Sequence, residues 1–183
     1  MARGPGTGLP PWAEVSAERR AHIERVADLA AGWADRLHVS TEERSRWLRA
    51  VWLHDALRDA APDTLERWAP DSPGPCELRH GPASAARAKT EGETDRGVLD
   101  AVRYHSVGCA GWDMAGRVLY CADYLEPGRP FGGERRTSLA AGFPEDPAGV
   151  LRAVAADRLA HLVRSGWPLP EPTVRFWNDL VGR

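Results

Sequence analysis

His54 and Asp55 are the two adjacent residues of this chain best suited to chemistry. Trp47, Val51 and His54 recur at i, i+4 and i+7, so they share one helix face, and that face is apolar until it reaches the imidazole. A carboxylate at the inner end of such a helix is costly unless it is paired or bound to a cation. Neighbouring His and Asp side chains on a helix point about 100° apart, so both can serve one metal site only where several helices meet. The pattern therefore asks for further ligands from elsewhere. Of the six histidines, His22 lies on a buried stripe with Val26, Leu29, Ala30 and Trp33, and His105 closes the period Val98–Val102–His105. Asp123 is the one carboxylate in the apolar run from Val118 to Leu125, and His80 is a loop candidate beside them. His38 and His161 read as surface residues, His38 beside a helix C-terminus.

The elements that must carry these residues are all helical. Ser16 caps a first helix running to about Leu37, and Ser40-Thr-Glu-Glu43 reads as a capping box for the helix of His54 and Asp55. Asp63 to Glu66 starts a short helix that ends by Pro70, and a Pro/Gly-rich loop follows. Pro82 suits the first turn of a helix ending at Thr90, which places His80 just ahead of it. Thr94 caps a helix to His105, Asp113 caps one through Leu125, Asp146-Pro147 opens a long amphipathic helix and Thr173 opens the last. No strand, repeat or internal linker is apparent. The expectation is an all-α, single-domain bundle of about seven or eight helices over residues 16–183, preceded by a loose Gly/Pro-rich segment, 1–15.

Composition narrows the class. The 183 residues suffice for one domain with a real core, and a formal net charge of −2 carries no global nucleic-acid or membrane-surface signal. Lys89 is the only lysine, so no single arginine is evidence by itself. Cys76, Cys109 and Cys121 form no Cys-x-x-Cys, which argues against a disulfide framework and a structural zinc site. The chain has no apolar run of membrane-span length and no signal-peptide core at its N-terminus, so a cytoplasmic protein is expected.

In chain order the ligand candidates are His22, His54-Asp55, His80, His105 and Asp123. This resembles the HD superfamily of metal-dependent phosphohydrolases, with signature H…HD…D, and the two added histidines match its two-metal members. The words His54-Asp-Ala-Leu-Arg58, Leu78-Arg-His80-Gly-Pro82, Arg103-Tyr-His105-Ser106 and Ala122-Asp-Tyr-Leu-Glu-Pro-Gly-Arg129 are similar to those of bacterial symmetrical diadenosine tetraphosphate hydrolases. The likeness runs from about His22 to Phe131. That family usually has lysine at the position of Arg58 and threonine at that of Ser106.

The resemblance implies a buried di-iron centre. His22, His54 and Asp123 would hold one metal, His80 and His105 the other, and Asp55 would bridge. The donor types themselves suit Fe, Mn, Co, Ni or Zn. Hydroxide between the metals would attack an inner phosphorus, releasing two ADP. Asp55, Arg58 and Arg129 are the expected catalytic residues, with Arg58, Arg103, Ser106 and Arg129 contacting substrate. For Arg103 a surface ion pair, and for Arg129 capping of a helix end, remain open alternatives. The partner expected is a small dinucleoside polyphosphate, with no nucleic acid and no membrane, and the oligomeric state stays open between monomer and homodimer. Competing readings are a phosphohydrolase of nucleoside mono- or triphosphates or cyclic nucleotides, and a non-catalytic nucleotide sensor.

Overall fold

Ser16 and Ser40 each accept a hydrogen bond from the backbone N–H three residues on, at Arg19 and Glu43, and so open the first two helices. These are α1 (Ala17–Arg36) and α2 (Thr41–His54). Glu43 does not return the bond expected of a capping box; its carboxylate accepts instead from Trp47 Nε1 and Arg46. The structure is a computed structural model that describes residues 8–129 and 133–182. The helices that follow are α3 (Pro62–Trp68), α4 (His80–Thr90), α5 (Arg96–Tyr104), α6 (Met114–Leu125), α7 (Gly133–Gly142), α8 (Pro147–Arg164) and α9 (Glu171–Val181). A single 3-10 turn, Cys76–Leu78, leads into α4. The described residues hold no strand, and the all-α expectation stands.

α2 and α6 form the centre. α2 packs against α1, α4, α5 and α6; α6 also packs against α1, α7 and α8. α6 is buried on nearly every face, from Ala115 to Leu125, as a helix without a polar side must be. The main core joins Ile23, Val26 and Trp33 of α1, Trp47 and Val51 of α2, Val98 and Val102 of α5 and Val118 to Ala122 of α6. At the α4–α5 crossing, Gly81 is required by space: a Cβ there would lie 2.9 Å from the Arg103 carbonyl and 3.0 Å from that of Val102. This close approach brings the His80 and His105 rings to 4.9 Å.

Several boundaries differ from the sequence reading. The helix missing from it is α7, whose opening residues Gly-Glu-Arg-Arg-Thr-Ser carry no apolar period. Tertiary contacts hold it instead, through buried Arg136 and the Trp33 Nε1 bond to the Ala140 carbonyl. His80 is the first residue of α4, since Arg79 is already helical. Asp95 rather than Thr94 caps α5, and α9 opens two residues before Thr173. The N-terminal segment, expected to be loose, is docked over its described part. Glu14 exchanges backbone hydrogen bonds with Ala56 and Asp59, and Leu9 and Val15 pack on the core. Residues 1–7 of that segment, and Phe131, lie outside the described residues.

Candidate metal centre

Four of the six ligand candidates stand at helix ends. His54 is the last residue of α2 and Asp55 its cap; His80 begins α4 and His105 caps the end of α5. Only His22, on α1, and Asp123, on α6, come from helix interiors. The bundle brings all six together, and none is more than 6 % exposed.

Helix ends also explain how the rings are aimed. The last carbonyls of a helix lack amide partners. His54 Nδ1 donates to the Val51 carbonyl at 2.7 Å, and His105 Nδ1 to that of Val102 at 2.8 Å. His80 Nδ1 donates to the Glu77 carbonyl of the 3-10 turn at 2.7 Å. His22, in mid-helix, has no such carbonyl and donates Nδ1 to Glu126 Oε1 at 3.1 Å. Holding the proton on Nδ1 leaves a lone pair on each Nε2. The Nε2 atoms of His22 and His54 are buried without a hydrogen-bond partner, and those of His80 and His105 face each other at 3.0 Å. Lone pairs so arranged are unfavourable alone and suited to cations.

The donors fall into two groups, His22–His54–Asp123 and Asp55–His80–His105, within each of which the ligand atoms lie within 4.8 Å of one another. Asp55 faces both. Its Oδ1 is 3.2 Å from His80 Nε2 and 3.4 Å from His105 Nε2, while Oδ2 is 3.5 Å from His54 Nε2 and 3.9 Å from His22 Nε2. Two imidazole nitrogens and one carboxylate in each group, without thiolate, fit first-row transition metals. Protonation states agree. Burial lowers the His54 pKa from 6.5 to about 4 and lowers that of His80, so both rings are neutral near pH 7. Burial works against ionising Asp55 and Asp123, but their neighbours prevail and hold both well below the usual carboxylate range. For Asp55 these are His54, His105 and His80 when they carry a proton on the nitrogen facing it, a place suited to a cation when the rings are neutral; for Asp123 they are His22, Arg129 and Arg158.

Around the ligands stands a ring of charged braces. Arg19 Nη1 donates to Asp55 Oδ2 at 2.8 Å. Glu126, 1 % exposed, accepts from His22, from Arg25 Nε at 2.6 Å and from the Gly128 amide. Arg129 Nη2 donates to Asp123 Oδ1 at 2.6 Å and to the Asp123 carbonyl at 3.2 Å. Arg129 thus makes the helix-end contact and a carboxylate contact at once.

The other sequence candidates are placed unequally. Ser106 Oγ is 3.1 Å from His105 Nε2 and 3.4 Å from His80 Nε2, within the centre. Arg58 reaches the Glu77 carbonyl at 2.9 Å, the group that also holds His80. Arg103 is exposed and lines an outer groove of about 410 Å³ with Ala85, Lys89, Arg96, Leu99 and Tyr104, a groove lined by none of the six ligands. Two residues before His105 is about 200° around a helix, so sequence proximity sends Arg103 away from the centre. His38 and His161 are exposed. Sequence reasoning missed Arg19, Arg25, Glu126 and Arg158. Arg19 and Arg25 stand three residues either side of His22, and Glu126 three after Asp123, a helical spacing that could have revealed them.

Residues 19–128 match the HD domain family, and the chain belongs to it. Within that family it is similar to the protein named bis(5'-nucleosyl)-tetraphosphatase, symmetrical, of Halalkalibacterium halodurans, at 28 % identity over 106 residues, 57 % of this chain and 56 % of that one. The protein of the same name from Bacillus subtilis is 45 % identical over 58 residues, 31 % of each chain. The matches therefore span about half the length of these curated relatives, or less. Among solved structures, that of a predicted HD superfamily hydrolase involved in NAD metabolism from Clostridium acetobutylicum is similar with a TM-score of 0.79, at 26 % identity and covering 92 % of both chains.

Proposed function

We propose that this chain is a metal-dependent phosphohydrolase that cleaves diadenosine tetraphosphate symmetrically into two ADP. One observation carries the chemistry: four Nε2 lone pairs converge while Asp55 turns one oxygen to each donor group. The substrate rests on the likeness to the tetraphosphatases of Halalkalibacterium halodurans and Bacillus subtilis. His22, His54 and Asp123 would hold one metal and His80 and His105 the second, with Asp55 shared. Iron is our reading of the metal, with Mn, Co, Ni and Zn as alternatives. A metal pair supplies Lewis acidity and activates water near neutral pH.

The remaining work belongs to the chain. Hydrolysis adds water across the central P–O–P link, and ADP is a good enough leaving group to depart without a strong acid. Countering the charge of the polyphosphate is the larger demand. Arg58 beside His80 and Arg129 beside Asp123 are the cations we assign to it, with the Ser106 hydroxyl as a further polar contact. Arg103 is not retained in that role, because it lines the outer groove. We read the protein as a cytoplasmic enzyme of a soluble nucleotide; no described helix is long and apolar enough to cross a membrane. A second reading, hydrolysis of another nucleotide on the same centre, draws on the Clostridium acetobutylicum protein, whose likeness covers more of the chain. Chromatography of the nucleotides formed from diadenosine tetraphosphate by metal-loaded protein tests the proposal. ADP alone is expected; AMP with ATP, or no turnover beside rapid cleavage of a mononucleotide, would refute it.

A further inference from the structure

Five arginines, Arg19, Arg25, Arg58, Arg129 and Arg158, lie around the donor groups, and Arg158 alone among them makes no hydrogen bond shorter than 3.4 Å. Arg19, Arg25 and Arg129 each grip a carboxylate oxygen at 2.8 Å or less. Arg158 does not. It comes from α8, beyond the residues that match the HD family, and α8 packs on α6. Its guanidinium lies 4.5 Å from the Tyr120 ring centroid and 5.8 Å from that of Tyr124. Nη2 donates to the Ser106 carbonyl at 3.4 Å, a long bond, and Nη1 stands 3.6 Å from Asp123 Oδ2, beyond hydrogen-bond reach. Nη1 is also closed off from solvent and has no hydrogen-bond partner; the Nε atoms of Arg19 and Arg129 are likewise buried without one, but on guanidiniums that already hold a carboxylate.

A buried N–H left unspent costs free energy, and in a native protein such a donor asks for an explanation. The setting supplies one. Aromatic faces hold the guanidinium plane without consuming its N–H groups. Its two polar neighbours belong to opposite sides of the centre, Asp123 to the first donor group and Ser106 to the chain just after His105 of the second. A planar cation spanning both groups, with donors in reserve, suits an oxyanion that bridges them. We infer that Arg158 is a phosphate-binding residue of this site, contributed by the C-terminal helices, and that its guanidinium, 22 % exposed and held by no short bond, turns to give an N–H to a phosphoryl oxygen of the nucleotide. The inference rests on the reading of the centre as a nucleotide polyphosphate site.

Arg158→Gln tests it, with Arg158→Met as a second variant that keeps the apolar stem against Tyr120. Each is loaded with metal, and its metal content, melting temperature, ADP affinity by calorimetry, and kcat and KM on diadenosine tetraphosphate are measured beside the wild type. The expected result is unchanged metal content, with ADP bound about 10- to 100-fold more weakly and the loss in kcat/KM carried mainly by KM. If Arg158 only neutralises Asp123, the variants lose metal while metal-loaded chains bind ADP as the wild type does, and the inference is overturned. Unchanged ADP affinity with unchanged metal overturns it too, and leaves the proposed activity standing. Wild-type protein that binds ADP but leaves the tetraphosphate intact would instead refute that activity, and the affinity comparison would still decide the role of Arg158.

Discussion

The two donor groups are braced by different parts of the polypeptide. In the group of His22, His54 and Asp123, side chains do most of the holding: Glu126 fixes the His22 ring and Arg129 fixes the Asp123 carboxylate. In the group of Asp55, His80 and His105, backbone fixes both rings, through the carbonyls of Glu77 and Val102. A side-chain brace can be removed by one substitution, whereas a carbonyl brace survives any substitution that keeps the helix end. The first group should therefore be sensitive to mutation of residues around it. The rings of the second should be sensitive only at the ligands themselves, and its carboxylate, Asp55, also at Arg19, the side chain that braces it.

Asp55 belongs to both comparisons, because each of its oxygens faces one group. Asp55→Ala should show the largest effect: loss of bound metal, no detectable hydrolysis and a lower melting temperature than metal-loaded wild type. Retention of two metals with normal turnover would show that the groups do not share this carboxylate. His38→Ala and His161→Ala, at exposed positions, serve as controls and should change neither quantity.

Acid should loosen both groups in metal-free protein. The His54 pKa falls from 6.5 unfolded to about 4 folded, so between those values the unfolded chain binds more protons. Stability is then fully present above pH 6.5 and declines as pH falls toward 4, by roughly 3 kcal/mol from this ring. His80, lowered by burial, acts in the same direction. Asp55 and Asp123, held low, extend the loss below the ordinary carboxylate range. Denaturant midpoints of metal-free protein measured from pH 7.5 to 4.5 should fall steadily below about 6.5; a flat profile would contradict burial of neutral rings.

Glu126→Gln and Glu77→Ala sharpen the contrast between the braces. The first removes the charge that orients His22 and leaves Arg25 without its carboxylate, so metal affinity should drop about 10- to 100-fold. The second removes an exposed side chain whose carbonyl remains on His80, and should leave metal affinity unchanged. Equal effects from the two would mean that the distinction between side-chain and backbone bracing carries no energetic weight.

The same distinction governs what could be read from sequence. His22, His54, His105 and Asp123 stand out because an apolar period ends on, or contains, a polar side chain, and the bundle buries all four. The braces of His54, His80 and His105 are carbonyls, which any residue supplies, so no residue type marks them. α7 escaped notice because its contacts come from α1 and α6 instead of from its own periodicity. Arg103 was expected at the site from its place beside His105, but helix geometry turns it outward. Arg158 gave no local sign at all. It stands 35 residues after Asp123, among many arginines, and only the packing of α8 on α6 brings it there.

The number of metal ions per chain tests most directly whether two donor groups share Asp55. Elemental analysis of the protein, purified without added metal and desalted near pH 7.5, should give two transition-metal ions per chain. Fully active protein carrying a single ion, or none, would contradict a centre built on two donor groups that share Asp55.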